Sequence, residues 1–233
     1  MAAALSYEDR EGLRTLSVAH GEGNLLDPTS MGLLHDALER ADAEASVSAI
    51  LLRSEGEVFC GGLDIGAIRA GANPLDFARS LVALLHRLAR LGKPIAAAVQ
   101  GDALAGGAAL VAAVDYAVAV PGARIGSHEV SLGIWPMIAQ VPLAHRIGVR
   151  HAMENIGSGV PFSAERAREL GLVQAVVPRA ELTSTAEHWL RLAARGAGAF
   201  ARGRPSFYEF AALPYGAALD GALERFASMF PTP

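Results

Sequence analysis

An α/β architecture with largely parallel strands is expected of this chain, for three reasons. Short apolar runs alternate with longer segments whose apolar residues recur at helical spacing. The order strand, turn, helix, strand repeats, and parallel strands need such crossover connections. Two of the apolar runs end in glycine-bearing turns, Phe59-Cys60-Gly61-Gly62-Leu63-Asp64 and Gly101-Asp102-Ala103-Leu104-Ala105-Gly106-Gly107.

The elements follow in order. Leu13 to Ala19 alternates like a strand. Asp27 or Thr29 can cap a helix in which Pro28 suits the first turn and Met31, Leu34, Leu38 and Ala41 share a face. Val47 to Leu52 reads as a short buried strand. Phe77, Leu81, Leu84, Leu85, Leu88 and Leu91 mark a second amphipathic helix that stops near Gly92-Lys93-Pro94. Ile95 to Val99 is a strand, and the second glycine turn leads into a helix of small residues through Leu110 and Ala113. Strands are expected over Asp115 to Val120 and Arg124 to Ser127, then a short helix from Ser163, a strand over Leu172 to Val177 and a helix over Glu181 to Arg195. A Gly/Arg/Pro-containing stretch (196–205) precedes helical sequence over 206–230, broken at Pro214. The division expected is a core over 1–195 and a helical extension over 196–233.

Composition narrows the possibilities. With 233 residues, 52% of them hydrophobic and 19% charged, the chain can bury a sizeable core and is not disordered. A net charge of −4 argues against a nucleic-acid surface. The single cysteine, Cys60, excludes an internal disulfide framework and a cysteine-based structural metal site. Residues 94–120 are the most apolar region, but Gln100, Asp102, Asp115 and several glycines interrupt them, so no membrane span is expected. No secretory signal is legible at the N-terminus, and a cytoplasmic location is expected. No His/Asp/Glu group shows metal-ligand spacing.

Glycine-rich strand–helix turns often serve backbone geometry alone. Two of them from separate strands can also aim two peptide N–H groups at one oxygen, as an oxyanion hole does. Neither turn spells a dinucleotide-binding G-x-G-x-x-G, and no phosphate-loop pattern is present. Ser127-His128-Glu129 has the residue types of a hydrolytic triad. On an extended strand, however, neighbouring side chains face opposite ways and cannot converge.

FCGGLDI resembles the F-x-A-G-x-D-[IL] element of the crotonase (enoyl-CoA hydratase/isomerase) superfamily, and KPIAAAVQGDALAGGAALVAAVDYAVA resembles its second glycine element. RIGSHEVSLGIWP is similar to its F-[GS]-x-P-E-x-x-x-G-[IL]-x-P element, and FSAERARELGLVQAVVP to a later one. The resemblance runs from about residue 13 to residue 190. It implies a spiral of repeated β-β-α units with a C-terminal helical region, acting on an acyl-CoA thioester. The N–H groups of Leu63 and Gly106 would form the oxyanion hole, and Glu129 would be the catalytic carboxylate. Substrate-binding positions would be Gly61, beside the CoA nucleotide, with Asp64, Gly107, Ala109 and Met137; Asp64 and Asp115 also read as turn or helix caps. No metal and no cofactor beyond the substrate's own coenzyme A is implied. Association as a homotrimer or a dimer of trimers is implied, with a C-terminal region shorter than is common in the family.

Two departures bear on the reaction. Ala109 stands where hydratases of the superfamily carry a first glutamate, and Met137 stands where they often have a glycine whose N–H helps hold water. A single carboxylate suits the transfer of a proton between two carbons. The reading that follows is a 3-to-2 enoyl-CoA isomerase, with an enoyl-CoA hydratase as the alternative and a catalytically silent acyl-CoA-binding subunit as a further one. His128 replaces the proline that commonly precedes the glutamate, and Asp102 has no evident role.

Overall fold

The structure is a computed structural model that describes residues 4–230. Residues 1–3 of the expected core and 231–233 of the expected extension lie outside the described residues. The strands are β1 (Ala4–Arg10), β2 (Leu13–Ala19), β3 (Ala49–Ser54), β4 (Ile95–Val99), β5 (Ala103–Leu104), β6 (Tyr116–Ala119), β7 (Arg124–Gly126), β8 (Phe162–Ser163) and β9 (Ala175–Val176). The helices are α1 (Pro28–Ala43), α2 (Ile65–Arg69), α3 (Pro74–Arg90), α4 (Gly106–Ala113), α5 (Gln140–Ser158), α6 (Ala164–Glu169), α7 (Arg179–Ala194), α8 (Ala197–Ala211) and α9 (Tyr215–Ser228).

Six strands form one sheet in the order β1-β2-β3-β4-β6-β9, parallel throughout except for the antiparallel β1–β2 hairpin. A small second sheet, β5-β7-β8, stands beside it and carries the second glycine turn. Alternation along the central strands explains why both faces of the large sheet are covered. Ile50 and Leu52 of β3, with Ile95, Ala97 and Val99 of β4, pack against Met31, Leu34 and Leu38 of α1 and Leu81, Leu84 and Leu88 of α3. The intervening Leu51, Ala96 and Ala98 face Leu182, Ala186 and Leu190 of α7. Each fully buried leucine in these layers contributes about 1.5–3 kcal/mol over an exposed one.

Local chemistry accounts for the helix starts. Asp27 accepts from the Ser30 N–H at 2.7 Å while the Ser30 hydroxyl accepts from the Asp27 N–H at 2.9 Å, a reciprocal cap with Pro28 at the first position. Asn73 caps α3 in a similar position before Pro74. Lys93, the only lysine, ends that connection by donating to the carbonyls of Ala41 and Glu44, each at 2.6 Å.

Several expectations need correction. β1 carries almost no buried side chain, so its polar sequence hides the strand that the Glu11-Gly12 turn folds back onto β2. The stretch 196–205 is not a break: α8 begins at Ala197 and runs through Pro205. The strand expected over 172–177 is only Ala175–Val176, because Leu172 and Val173 still bond back to the carbonyl of Ala167. Arg124 to Ser127 ends as a strand at Gly126, and Glu129–Leu132 forms a 3₁₀ turn.

Asp115 ties α8 to the sheet. Its carboxylate accepts from the Ile95 N–H at 3.0 Å, from Arg204 Nε at 2.9 Å and from the Tyr208 hydroxyl at 2.7 Å. Arg204 also donates to the carbonyls of Ala89 and Leu91 at the end of α3. Burial, and then the adjacent carboxylate, raises the Tyr208 phenol above its ordinary range. The ion pair is 3% and 8% exposed, so removing one partner strands the other charge away from water. Asp115→Ala is therefore expected to lower the unfolding free energy in urea by about 3–5 kcal/mol. Cys60 is buried, and desolvation pushes its thiol up to about 12. A disulfide reagent at pH 8 is expected to modify it at least about tenfold more slowly in the native protein than in urea, since the thiolate is the nucleophile.

Candidate active site

The site is made where the two glycine turns meet. Leu104 N–H donates to the carbonyl of Cys60 at 2.8 Å, and the N–H groups of Phe59 and Cys60 both donate to the carbonyl of Asp102. A third segment, residues 23–26, is laced to the first turn by Gly61 N–H to Gly23 carbonyl (2.9 Å), Leu26 N–H to Gly62 carbonyl (2.7 Å) and Asp64 N–H to Leu26 carbonyl (2.9 Å). Gly62, at φ +99°, has no room for a side chain: a Cβ there would lie 2.7 Å from the Ala105 Cβ. Gly107 is as tightly placed, because a Cβ would stand 2.3 Å from the Cys60 carbonyl oxygen. Ala105 itself adopts φ +53°, ψ −115°, a strained conformation for a residue with a Cβ.

Among the turn residues that border the adjoining cavity, two amides are unspent. Gly61, Asp64, Leu104 and Ala105 all donate to protein carbonyls, whereas the Leu63 and Gly106 N–H groups have no acceptor among the described residues. The two turns bring these amides close, since a Cβ on Gly106 would lie 3.9 Å from Leu63 N. Gly106 is also the first residue of α4, where the helix presents the positive end of its dipole.

Both residues border a cavity of ≈ 210 Å³ whose walls are mostly apolar, among them Ile65, Leu81, Leu132, Ile134, Trp135 and Ile138. Gly61, Glu129 and Met137 line the same cavity. Asp64, Gly107 and Ala109 do not. Asp64 is committed to capping α2 through the Ala67 N–H at 2.9 Å, Gly107 is pressed onto Cys60, and Ala109 is fully buried in α4.

Glu129 opens the 3₁₀ turn, so it is not the strand residue that its surroundings in sequence suggest. This irregular backbone gathers groups an extended strand would separate. Glu129 Oε2 accepts from the Ser127 hydroxyl and, at 3.1 Å, from the His128 N–H, which a proline in that place would lack. Ser127 is wholly buried and its backbone is held on both sides by Asn155: its N–H donates to Asn155 Oδ1 at 2.7 Å, and Asn155 Nδ2 donates to its carbonyl at 2.9 Å. The hydroxyl thus points to the carboxylate and makes no bond to the imidazole, so a serine hydrolase constellation is not assembled. His128 lines the cavity, and its Nδ1 is buried without a hydrogen-bond partner.

Sequence reasoning missed Ser127 and Asn155 as supports of Glu129; they lie 28 positions apart, and only the packing of α5 on the 3₁₀ turn joins them. Asp102 finds its role away from the cavity. It accepts from the Arg124 N–H at 2.9 Å and from the same residue's guanidinium, on a separate surface hollow with Glu57 and Gln100. Met137 donates its N–H to the Trp135 carbonyl at 2.8 Å, so that amide is already used. One cluster escaped the search for metal-ligand spacing: His35, Asp36 and Glu39 bring their ligand atoms within 4.8 Å of one another on α1. Glu39 is paired there with Arg87 at 2.8 Å, and none of the three lines the cavity. Among the described residues no helix is long and apolar enough to cross a membrane.

Comparison with known proteins agrees with this geometry. A family model described as enoyl-CoA hydratase/isomerase matches residues 19–204. A curated Bacillus subtilis (strain 168) protein, described as a probable enoyl-CoA hydratase, is 32% identical over 174 residues, 73% of this chain and 67% of that one. The crystal structure of an enoyl-CoA hydratase from Mycobacterium smegmatis superposes with a TM-score of 0.91 at 28% identity, covering 98% of this chain and 91% of that one. A Silicibacter pomeroyi structure, described as an enoyl-CoA hydratase/isomerase family protein, gives 0.88 at 31% identity over 99% and 100% of the two chains. With its spiral α/β core, its paired glycine turns and this match over most of its length, the chain belongs to the enoyl-CoA hydratase/isomerase family, a crotonase-fold family of acyl-CoA-transforming enzymes.

Proposed function

We propose that this chain hydrates a 2-enoyl-CoA thioester, with Leu63 and Gly106 as the oxyanion hole and Glu129 as the proton-carrying carboxylate. The observation that carries the reading is the pair of unspent amides beside the same cavity as Glu129. The thioester oxygen accepts from both N–H groups, which hold the charge of the enolate in a largely apolar site. Preorganised donors of this kind are worth roughly 3–4 kcal/mol each in the transition state. Glu129 takes a proton from water as the oxygen adds to C3 and returns one to C2. The Bacillus subtilis and Mycobacterium smegmatis relatives, described as hydratases, support this assignment over the isomerase.

The isomerase remains the second reading, and one observation favours it. Among the described residues Glu129 is the sole carboxylate lining the cavity, Ala109 offers no proton, and the Met137 amide is spent. A 3-enoyl thioester would then give up a proton to Glu129 and regain it two carbons away. Absorbance separates the two reactions: hydration removes the conjugated enoyl thioester, whereas isomerisation creates it. The silent acyl-CoA-binding subunit is the outcome if neither change occurs while CoA thioesters bind.

The division at residue 195 has a functional reading in assembly. α9 buries none of its residues within the chain, and Leu219, Leu223, Phe226 and Phe230 are each more than half exposed. Large apolar patches of this kind mark interfaces. The outward face of α9 is thus the contact that joins copies of the chain in a homotrimer or a dimer of trimers.

Glu129→Gln is expected to lower turnover by about 10²–10⁴-fold, the usual worth of a positioned acid–base group, while binding of a saturated acyl-CoA persists. Unchanged turnover would remove Glu129 from the chemistry. Leu223→Glu combined with Phe226→Glu is expected to convert a trimer to a monomer in sedimentation velocity, and a monomeric unmodified protein would overturn the assembly reading.

A further inference from the structure

We propose that His128 holds the attacking water, doing so from the position of the family's proline and in place of the missing first glutamate. The inference rests on the hydration reading above and concerns how this particular cavity achieves it.

The cavity lining is unusually poor in polar side chains. Among the described residues only His128, Glu129 and Trp135 bring polar side-chain N or O atoms to it. Trp135 Nε1 is committed to Gln140 Oε1 at 3.0 Å. Glu129 Oε2 is occupied by the Ser127 hydroxyl and the His128 N–H, which leaves Oε1 as the carboxylate oxygen free to accept a proton. The backbone offers no substitute at Met137, whose N–H is taken by the Trp135 carbonyl. The amides of Leu63 and Gly106 are needed by the thioester oxygen. Nε2 of His128, which has no protein partner among the described residues, is the remaining group that can grip a water beside Glu129.

The environment of the ring also selects its tautomer. Nδ1 is buried with no acceptor in reach, so a proton placed there would be an unsatisfied buried donor. Buried N–H groups without partners are rarer in proteins than under-satisfied acceptors. The proton therefore sits on Nε2, which donates to one lone pair of the water oxygen. That leaves the second lone pair for C3 and one O–H for Glu129 Oε1.

The step balances without a second acid. The water O–H bond breaks and its proton passes to Glu129 as the oxygen–C3 bond forms. The C2–C3 π pair moves toward the carbonyl, and the enolate charge rests on the thioester oxygen against Leu63 and Gly106. Glu129 then returns the proton to C2 and the enolate collapses to the 3-hydroxyacyl thioester. His128 is unchanged at the end.

The test compares His128→Phe, which keeps the backbone N–H to Glu129 but removes the ring donor, with His128→Gln, which restores a side-chain N–H. A short 2-enoyl-CoA is the substrate, and its saturated counterpart reports binding. Expected is at least a tenfold fall in kcat for His128→Phe with the saturated thioester's Kd unchanged within twofold, and recovery of most of that loss in His128→Gln. Equal hydration by the unmodified protein and His128→Phe overturns this inference and leaves the proposed function standing. So does a loss accompanied by a parallel loss of binding, or a glutamine variant no better than phenylalanine. An unmodified protein that isomerises a 3-enoyl thioester but hydrates nothing overturns the inference together with the hydration reading.

Discussion

The contact between two backbone turns is the constraint on which this molecule depends. Gly62 and Ala105 approach so closely that a Cβ on Gly62 would overlap the Ala105 Cβ. Hydrogen bonds from Leu104, Phe59 and Cys60 close the gap from both sides. The strain at Ala105 is part of the same arrangement: the chain turns there into α4, just where a Cβ on Gly62 would meet the Ala105 Cβ. Backbone groups are suited to this task because the sheet holds them. Their positions follow from β3, β4 and β5 rather than from rotatable side chains, and groups held in this way need little reorganisation to meet a charge.

The carboxylate is supported differently. Glu129 stands on a 3₁₀ turn beyond the end of β7, and its orientation comes from side chains behind it. Asn155 fixes the backbone of Ser127, and the Ser127 hydroxyl in turn engages one carboxylate oxygen. With that oxygen and the His128 N–H paired, the carboxylate has one working edge. A histidine at position 128 therefore has two consequences, a main-chain donor for Glu129 that a proline could not supply and an imidazole in the cavity wall. With Ala109 buried in α4 and the Met137 amide spent, the polar side chains His128 and Glu129 reach the cavity wall from the 3₁₀ turn and its start.

The C-terminal helices divide between inward and outward duties. α8 is anchored by a buried ion pair and a tyrosine hydroxyl that meet on Asp115, at the start of β6 and near the end of α3. α9 meets nothing comparable and shows its apolar residues to the surroundings. One end of the extension thus belongs to the subunit's own core, and the other leaves its apolar residues exposed.

Sequence alone was enough for the parallel α/β grammar, a cap beside Pro28 (open between Asp27 and Thr29), the sided packing of α3, and the two glycine turns. These are local matters, set by periodicity, capping chemistry and the freedom of glycine. It was also enough to single out Glu129, because a family element spans that residue. Tertiary structure decided what local pattern could not. β1 became a strand because β2 offered it an edge, and residues 197–205 became helix because Arg204 could reach Asp115, 89 positions away. Ser127, His128 and Glu129 read as an extended run, yet packing against Asn155 curled them into one cluster with a shared carboxylate oxygen. Which amides stay unpaired is likewise a property of the assembled fold, since it depends on where every competing carbonyl comes to rest.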